Sequence, residues 1–236
     1  MAASRRRLNR GREPRAWRRW LRRLVLAWLA TSLLVTLPLR WLDPPTSAYI
    51  VREQQDVPIR HDWVPIDALP AYVPLAMVAA EDQNFPHHHG FDLGQIRDAL
   101  AEGMEGGRVR GASTISQQLA RNLYLWPGER WWSRWLRKGL EGWFTGWLEL
   151  GLSKRRILEL YLNLVEFDRG VFGIEAAARH YFGVPASRLD RRQAALLAAA
   201  LPAPKRRDPG RPDAFLLERQ RWILGQMDNL GEAWVP

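Results

Sequence analysis

The sequence of 236 residues contains no cysteine, which excludes a disulfide framework, a thiol nucleophile and a cysteine-ligated zinc site. It also lacks a Walker phosphate-binding loop, a DxD metal pair, and the GxSxG and HExxH motifs of serine hydrolases and zinc proteases. An apolar fraction of 47% is typical of a globular protein.

Excess positive charge is almost absent beyond residue 23. The first 23 residues carry ten arginines and one glutamate, whereas the other 213 carry 25 basic and 24 acidic side chains. A pI near 10.8 is often that of a nucleic-acid-binding protein, whose basic residues cover the folded surface. Because the remainder of this chain is nearly neutral, we expect no nucleic-acid partner.

The arginines are followed by an uncharged run of sixteen residues, Leu24 to Leu39. Trp20 and Trp41 flank this run and would lie about 33 Å apart on a helix, one at each membrane interface. We predict a cytoplasmic basic tail at residues 1–23 and a transmembrane anchor at 24–42, because basic segments stay on the cytoplasmic side. A cleaved signal peptide, a twin-arginine signal and a buried core helix are the alternatives.

The remainder of the chain is predicted to form a linker at residues 43–60, which contains the segment DPPTS, and one domain at 61–236. Helical periodicity dominates this domain, and no βαβ alternation occurs, so the expected fold class is mainly α. The predicted helices cover residues 74–81, 111–125, 133–150, 153–167, 174–182, 190–201 and 213–230. Asp190 with Gln193 resembles a capping box, and Gly183 a helix stop.

Glu81 is the first candidate catalytic residue. It lies where the apolar segment PLAMVAAE gives way to the polar turn DQNFPHHHG. A carboxylate in such a position is partly desolvated, which raises its pKa and makes it a better proton acceptor. An ordinary helix-terminal acid remains the alternative. Adjacent histidines point in different directions, so we expect His88 to brace the loop by hydrogen bonding and not to bind a metal.

A second candidate is the polar face of the segment GASTISQQLARNLYL, residues 111–125. At helical spacing its hydroxyl and amide side chains form two adjacent stripes, Ser113–Gln117–Arg121 and Thr114–Gln118–Asn122. Such groups suit sugar hydroxyls or phosphate oxygens, whereas an ordinary solvent-exposed face would be rich in Lys and Glu. A merely polar surface is the alternative.

The third candidate is the group Arg137, Lys138 and Glu141, which share one helix face. Two cations and a carboxylate suit a diphosphate group, although an ordinary exposed ion pair has the same spacing. Six tryptophans lie nearby, between Trp126 and Trp147, with Arg130 and Arg134 among them. Core packing and a face at the lipid interface explain these tryptophans equally well.

Five segments taken together resemble the five sequence blocks of family 51 glycosyltransferases, the peptidoglycan polymerases. In chain order they are EDQNFPHHHGFD, GASTISQQLARNL, RKGLE, SKRRILELYLN and RRQAALLAAALPAP. With FDRGVFGIEAAARHYFG they cover most of the chain after residue 70. The motifs SxxK and KTG are absent from this sequence, so we expect no penicillin-binding transpeptidase domain in it.

The resemblance implies a lysozyme-like, two-lobed α fold with one N-terminal transmembrane helix. It implies that the substrate is lipid II and that the reaction extends a lipid-linked glycan chain. Glu81 would deprotonate the GlcNAc 4-hydroxyl that attacks C1 of the growing chain, with inversion and release of undecaprenyl diphosphate. Glu141 would organise the site around that diphosphate. The implied location is the bacterial inner membrane, with the catalytic domain in the periplasm.

The resemblance also implies a set of substrate-binding residues: Asp82, Phe85, His88, Ser113, Thr114, Gln117, Gln118, Arg121, Asn122, Arg130, Arg134, Arg137 and Lys138. Either Arg130 or Arg134 fills the basic position before the third block. No cofactor is required, although Mg²⁺ or Mn²⁺ can assist at the diphosphate. Membrane lipids and cell-wall synthesis or division proteins are expected partners. A lytic transglycosylase or lysozyme-type glycosidase is the rival enzyme, and a non-catalytic membrane scaffold the rival of another class.

Overall fold

The computed structural model describes residues 14–104, 113–126 and 131–231. Within these ranges the chain is mainly helical, which confirms the predicted fold class. The helices are α1 Pro14–Thr36, α2 Ala48–Glu53, α3 Tyr72–Glu81, α4 Leu93–Met104, α5 Ile115–Tyr124, α6 Trp131–Gly151, α7 Lys154–Leu164, α8 Ile174–Phe182, α9 Arg191–Ala200 and α10 Ala214–Leu230.

Helix α1 contains residues 24–36 of the predicted anchor, and a short 3-10 helix, Leu37–Arg40, follows it. The stretch Trp17–Arg40 is long and apolar enough to cross a membrane, and side chains such as Leu26 and Leu34 are exposed on it. A single helix with so much exposed apolar surface requires a lipid or protein cover. Residues 1–13 of the predicted cytoplasmic tail lie outside the described residues.

Several predicted helix ends are confirmed by their capping contacts. Ser153 caps α7 by accepting a hydrogen bond from the backbone N–H of Arg156 at 3.2 Å. Asp190 and Gln193 form the expected reciprocal capping box before α9. Gly183 ends α8 in the left-handed conformation that glycine adopts without strain. Local sequence chemistry therefore determines these boundaries.

Two predicted helix boundaries were wrong. The polar helix of residues 111–125 begins only at Ile115, because Thr114 is extended and its side chain caps the first turn; residues 111–112 lie outside the described part. The helix predicted to run from Ser153 to Phe167 ends at Leu164. Residues beyond it pair in a small sheet, and these ladder hydrogen bonds replace a further helical turn.

That sheet has the strand order β1-β3-β2, with β1 at Arg60–His61, β2 at Glu166–Asp168 and β3 at Val171–Phe172. Strand β3 is parallel to β1 and antiparallel to β2. The strands are too short for period-two alternation to be visible in the sequence, so the sheet was not predicted.

The segment predicted as a linker, residues 43–60, contains helix α2. Ser47 caps this helix by accepting a hydrogen bond from the N–H of Ile50 at 3.2 Å, and the Ile50 side chain belongs to the hydrophobic core. This part of the predicted linker is therefore packed onto the domain. Helix α4, at residues 93–104, was also absent from the prediction.

The core is organised around α3 and α5. Helix α3 packs against α9 and α10, and α5 packs against α6 and α7, while α1 lies along α6. The residues from Val73 to Ala79 of α3 are all buried, which fixes the position of Glu81 at the end of that helix. The end of α3 thereby meets the beginning of α5.

Candidate active site

Glu81 is half-buried at the end of α3 and faces α5. Its Oε2 atom accepts a hydrogen bond from Nε2 of Gln118 at 2.8 Å. Burial raises the pKa of Glu81, because the protein replaces the water that would solvate the charge, while Gln118 and the cations Arg219 and Arg121 oppose this shift. The result is a carboxylate suited to accepting a proton.

Behind Gln118 lies Tyr161 of α7, whose hydroxyl donates to Oε1 of Gln118 at 3.2 Å. This contact assigns the oxygen of the Gln118 amide to Tyr161 and its nitrogen to Glu81. Burial, together with the neighbouring charge of Glu81, raises the pKa of Tyr161 well above its ordinary value. Tyr161 is therefore a neutral donor that orients Gln118.

Asp82 joins the end of α3 to the beginning of α5. Its Oδ2 accepts from the backbone N–H of Ile115 at 3.0 Å, and its Oδ1 lies 2.9 Å from Nε2 of His88. The N–H of Gly90 donates to Nδ1 of His88 at 3.1 Å, so the neutral ring carries its proton on Nε2. Thr114 donates to the carbonyl of Gly90 at 2.7 Å. These contacts confirm that His88 braces the loop.

Three predicted substrate-binding side chains form the framework of the site in this structure. Asp82 and Thr114 are buried and use their oxygens in the contacts above. Phe85 is completely buried, and the Nζ of Lys154 lies 4.5 Å from the centre of its ring. Phe85 therefore has no surface on which a ligand could rest, and it acts on the site only by supporting its neighbours.

Gly90 is required for this arrangement. Its φ of +83° is unfavourable for other residues, and a Cβ atom would lie 2.6 Å from Cγ2 of Thr145. We expect Gly90→Ala to cost about 2 kcal/mol or more in unfolding free energy and to lower the thermal unfolding midpoint measured in detergent. Gly146→Ala is the matched control, since that helical glycine has open space around it and alanine favours helix. Equal midpoints for the two variants would contradict the expectation.

Lys138 and Glu141 bring the predicted third group against the polar face of α5. The Nζ of Lys138 lies 2.5 Å from Oε1 of Glu141, 3.4 Å from Oε1 of Gln117 and 3.5 Å from Oγ of Ser113. The Glu141 side chain is 3% exposed, whereas that of Lys138 is 52% exposed. The carboxylate thus holds an accessible ammonium group over the first turn of α5.

The other predicted residues occupy different environments. Arg121 is half-buried near Glu81, and Asn122 is buried on the same helix. Arg137 is half-buried, and its Nε atom has no hydrogen-bond partner among the described residues. Arg134 is exposed, and Arg130 lies outside the described residues. The choice between Arg134 and Arg130 therefore stays a prediction.

Two residues beside Glu81 were missed by the sequence analysis, Tyr161 and Arg219. Arg219 of α10 donates to the carbonyl of Ala80 at 3.3 Å, and its guanidinium lies 4.0 Å from the centre of the Trp222 ring. A hydroxyl on the buried helix α7 was a usable signal for Tyr161, because a buried Tyr hydroxyl needs a partner. No spacing rule connects Arg219 with Ala80, 139 positions earlier.

Some tryptophans near this site are packed against other residues and others are exposed, so both core packing and a face at the lipid interface are represented. Trp126 and Trp135 are on the surface, with 50% and 75% of their area exposed. Trp143 and Trp147 pack against each other on α6, and Trp143 also contacts α1. Exposed and packed tryptophans therefore occur side by side.

Among the described residues, no group of three or more His, Cys, Asp or Glu side chains is arranged to hold a metal ion. In the group Arg137, Lys138 and Glu141 on α6, Glu141 is the one residue that could offer carboxylate oxygens to a cation. Its Oε1 is already paired with Lys138. A divalent cation prefers several oxygen ligands. Glu141 alone therefore does not form a cation site, and an ion at this position would take its remaining oxygen ligands from a diphosphate or from water.

Known proteins are similar to this chain over most of its length. The family model described as "Transglycosylase" matches residues 49–228. The chain is 49% identical to the biosynthetic peptidoglycan transglycosylase of Ectopseudomonas mendocina, over 91% of this chain and 89% of that protein. It is 47% identical to the protein of that name from Pseudomonas entomophila, over 90% and 92%, and 46% identical to that from Aeromonas hydrophila, over 90% and 91%.

Proposed function

The chain belongs to the transglycosylase family, and on that premise we propose that it polymerises the glycan strands of peptidoglycan from lipid II, with Glu81 as the general base. Members of this family have a lysozyme-like catalytic domain, which accords with the mainly helical fold. The growing lipid-linked strand is transferred to the GlcNAc 4-hydroxyl of an incoming lipid II. The anomeric linkage inverts, and undecaprenyl diphosphate leaves.

The observation that carries this proposal is the environment of the Glu81 carboxylate. It is partly desolvated, and Gln118 orients it by donating to one of its oxygens. The carboxylate takes the proton of the 4-hydroxyl as that oxygen forms its bond to C1 and the C1–diphosphate bond breaks. The electron pair of the broken bond leaves with the diphosphate, so the step balances without a redox partner.

The leaving diphosphate needs cations close to α5. Lys138 offers an exposed ammonium over Ser113 and Gln117, and Arg137 adds a guanidinium whose buried Nε is unpaired within the described ranges. Hydrogen bonds from charged donors to phosphate oxygens are stronger than neutral ones. Glu141 keeps Lys138 in place through the contact of 2.5 Å, so its role is to arrange the cation that receives the developing charge.

No step is assigned to a divalent cation. The resemblance of the sequence to family 51 allows Mg²⁺ or Mn²⁺ at the diphosphate, where the ion would neutralise negative charge. The described residues supply Lys138 and Arg137 for that purpose and a single, paired carboxylate. Cationic side chains therefore stabilise the leaving group in this proposal.

The pH dependence of the reaction follows from the pKa of Glu81. The base acts only when ionised, so activity falls as the pH drops through that pKa, which burial raises. The charges that act on Glu81 are those of Arg219, Arg121 and Asp82. Arg219→Gln removes one stabilising cation, so the acid limb of the kcat/KM profile is expected to move to higher pH. Arg221→Gln, an exposed arginine on the same helix, serves as the control and should leave the limb in place.

The proposed location is the bacterial inner membrane, crossed once by α1. The arginine-rich tail at residues 1–23 favours a cytoplasmic amino terminus, which places the catalytic domain in the periplasm. The exposed rings of Trp126 and Trp135 suit contact with membrane lipids at the interface. Cell-wall synthesis or division proteins are further proposed partners.

The proposal is tested by incubating the purified full-length protein, in lipid vesicles, with lipid II labelled in its sugars. Long glycan strands and free undecaprenyl diphosphate are the expected products. Shortening of added peptidoglycan strands, without polymer from lipid II, would replace the proposal by the lytic activity. Binding of lipid II without any product would indicate the non-catalytic scaffold.

A further inference from the structure

Helix α1 carries two polar residues that are withdrawn from its exposed surface. Ser32 and Thr36 are each 1% exposed, whereas the neighbouring Thr31, Leu33 and Leu34 are exposed. Residues four positions apart lie on one face of a helix. A membrane helix that served only as a tether would have no reason to bury one polar stripe against its own domain.

The Ser32 end of this stripe contacts α6. Nε1 of Trp143 donates to Oγ of Ser32 at 3.0 Å, and this hydroxyl in turn donates to the carbonyl of Trp28 at 2.8 Å. The Trp28 ring lies 6.1 Å from that of Trp143 and 6.2 Å from that of Phe144. The contact therefore combines a hydrogen-bond chain with aromatic packing, two residues after Glu141 on the same helix.

The Thr36 end contacts α5. The hydroxyl of Tyr124 lies 3.3 Å from both Oγ1 of Thr36 and the carbonyl of Val35. The Tyr124 ring stacks on Phe144 of α6 with a centroid distance of 4.4 Å. Tyr124 is the last residue of α5, the helix that carries Gln117 and Gln118 in its first turn. Helix α1 thus touches both helices that form the site.

We propose that α1 is a positioning element of the active site as well as a membrane anchor. Through Ser32 and Thr36 it fixes α6 relative to α5, and this arrangement brings Lys138 and Glu141 over the first turn of α5. The inference rests on the proposed function, because its catalytic consequence is the binding of the leaving diphosphate by Lys138. Hydroxyl and indole hydrogen bonds suit this task, since close packing and hydrogen bonding drive helix association in lipid.

Arg156 of α7 holds the segment that follows the carboxyl end of α1. Its guanidinium donates to the carbonyls of Leu39 and Leu42 at 2.7 and 2.9 Å and to the carboxylate of Asp43 at 2.7 Å. The chain leaving the membrane segment is therefore also attached to the domain. Because the carboxyl half of α1 and the segment that follows it are both attached to the domain, a rotation of α1 is expected to be transmitted to α5 and α6.

The test compares Ser32→Leu with Thr31→Leu in the full-length protein in lipid vesicles. Both variants exchange a hydroxyl for the same apolar side chain, one position apart, but only Ser32 is packed against α6. Because the chain has no cysteine, spin labels can be placed at Leu34→Cys on α1 and Leu150→Cys on α6, both exposed. We expect Ser32→Leu to shift or broaden the distance distribution between the labels, and Thr31→Leu to retain that of the parent protein.

The kinetic arm measures kcat/KM for lipid II in the same vesicles. A small misplacement of reacting groups costs about 10²-fold in rate, so we expect a loss of that order for Ser32→Leu and less than twofold for Thr31→Leu. The acid limb of the pH profile should stay in place for both, because α1 acts on Lys138 and Glu141 and not on Glu81. A shifted limb would indicate general loosening of the domain and overturn the positioning role.

A second pair of variants tests the hydrogen bond itself. Ser32→Ala and Trp143→Phe each remove one partner of the same contact, so their effects on kcat/KM should not add in the double variant. Wild-type label distances and kinetics in Ser32→Leu would overturn the proposal. If even Thr31→Leu and the wild type make no polymer, the proposed function fails, while the label distances still report on the docking of α1.

Discussion

Glu81→Gln is expected to reduce glycan polymerisation by about 10²–10⁴-fold, the range that a positioned general base contributes. Glutamine has the same shape as glutamate but cannot take up the proton of the attacking hydroxyl. Its side-chain oxygen can still accept the hydrogen bond that Gln118 donates at 2.8 Å. The geometry around the residue is thereby retained while its proton-accepting capacity is lost.

The same variant is expected to be at least as stable as the wild type. Burial raises the pKa of Glu81, which means that the ionised form is disfavoured in the folded protein relative to an exposed carboxylate. A neutral amide carries no such penalty at pH 7, so the thermal unfolding midpoint should stay equal or rise. Lost activity with retained stability is typical of a residue kept for function.

Glu218→Gln, an exposed glutamate on α10, is the matched control for this measurement. It makes the same chemical exchange and should leave both the rate of polymer formation and the unfolding midpoint unchanged. Initial rates with labelled lipid II and thermal unfolding in the same detergent provide the comparison. Polymerisation by Glu81→Gln at the wild-type rate would exclude Glu81 as the base.

The second large effect is expected for Glu141→Gln. Its nearly buried carboxylate holds Nζ of Lys138 at 2.5 Å, over Ser113 and Gln117. Without that charge, only the longer contacts with Gln117 and Ser113 keep the exposed lysine side chain over α5, so the cation at the leaving group is less well preorganised. Removal of one preorganised donor typically costs about 10²–10³-fold in kcat, and we expect a loss of that order.

Asp228→Asn is the control for the loss of an ion pair as such. Asp228 pairs with Arg191 at 2.5 Å, and both side chains are well exposed, so this pair contributes little. Its activity should stay within twofold of the wild type. Lys138→Arg, which keeps the charge in a different shape, should retain more activity than Lys138→Met. If Glu141→Gln and Asp228→Asn behaved alike, the arrangement of Lys138 by Glu141 would have no catalytic role.

The sequence predicted most accurately the helix ends, which depend on residues that are neighbours along the chain. The capping box of Asp190 and Gln193, the cap at Ser153 and the stop at Gly183 all formed as expected. The position of Glu81 at a helix end also followed from a short apolar pattern and the acid that ends it. These features are determined within a few residues, so the sequence alone is sufficient to find them.

Contacts between distant segments could not be predicted from such local patterns. The Ala80–Arg219 contact joins residues 139 positions apart, and Gln118–Tyr161 joins residues 43 apart. Strand β2 was assigned to a helix because its pairing with β3 outweighed a helical pattern that continued past Leu164. In each case the packing of the whole domain decided the outcome, and no local preference of the residues involved reveals it.

The side chain of Gln118 has a consequence for the path of the proton. Its amide lies between Glu81 and the buried hydroxyl of Tyr161, and an amide nitrogen that donates to a carboxylate has no free site to receive a proton. Glu81 therefore cannot pass its proton through Gln118 to the interior of the protein. Each proton taken from an incoming sugar must therefore leave Glu81 on a side other than the one that Gln118 occupies. Contact of Glu81 with water is then required between one sugar addition and the next.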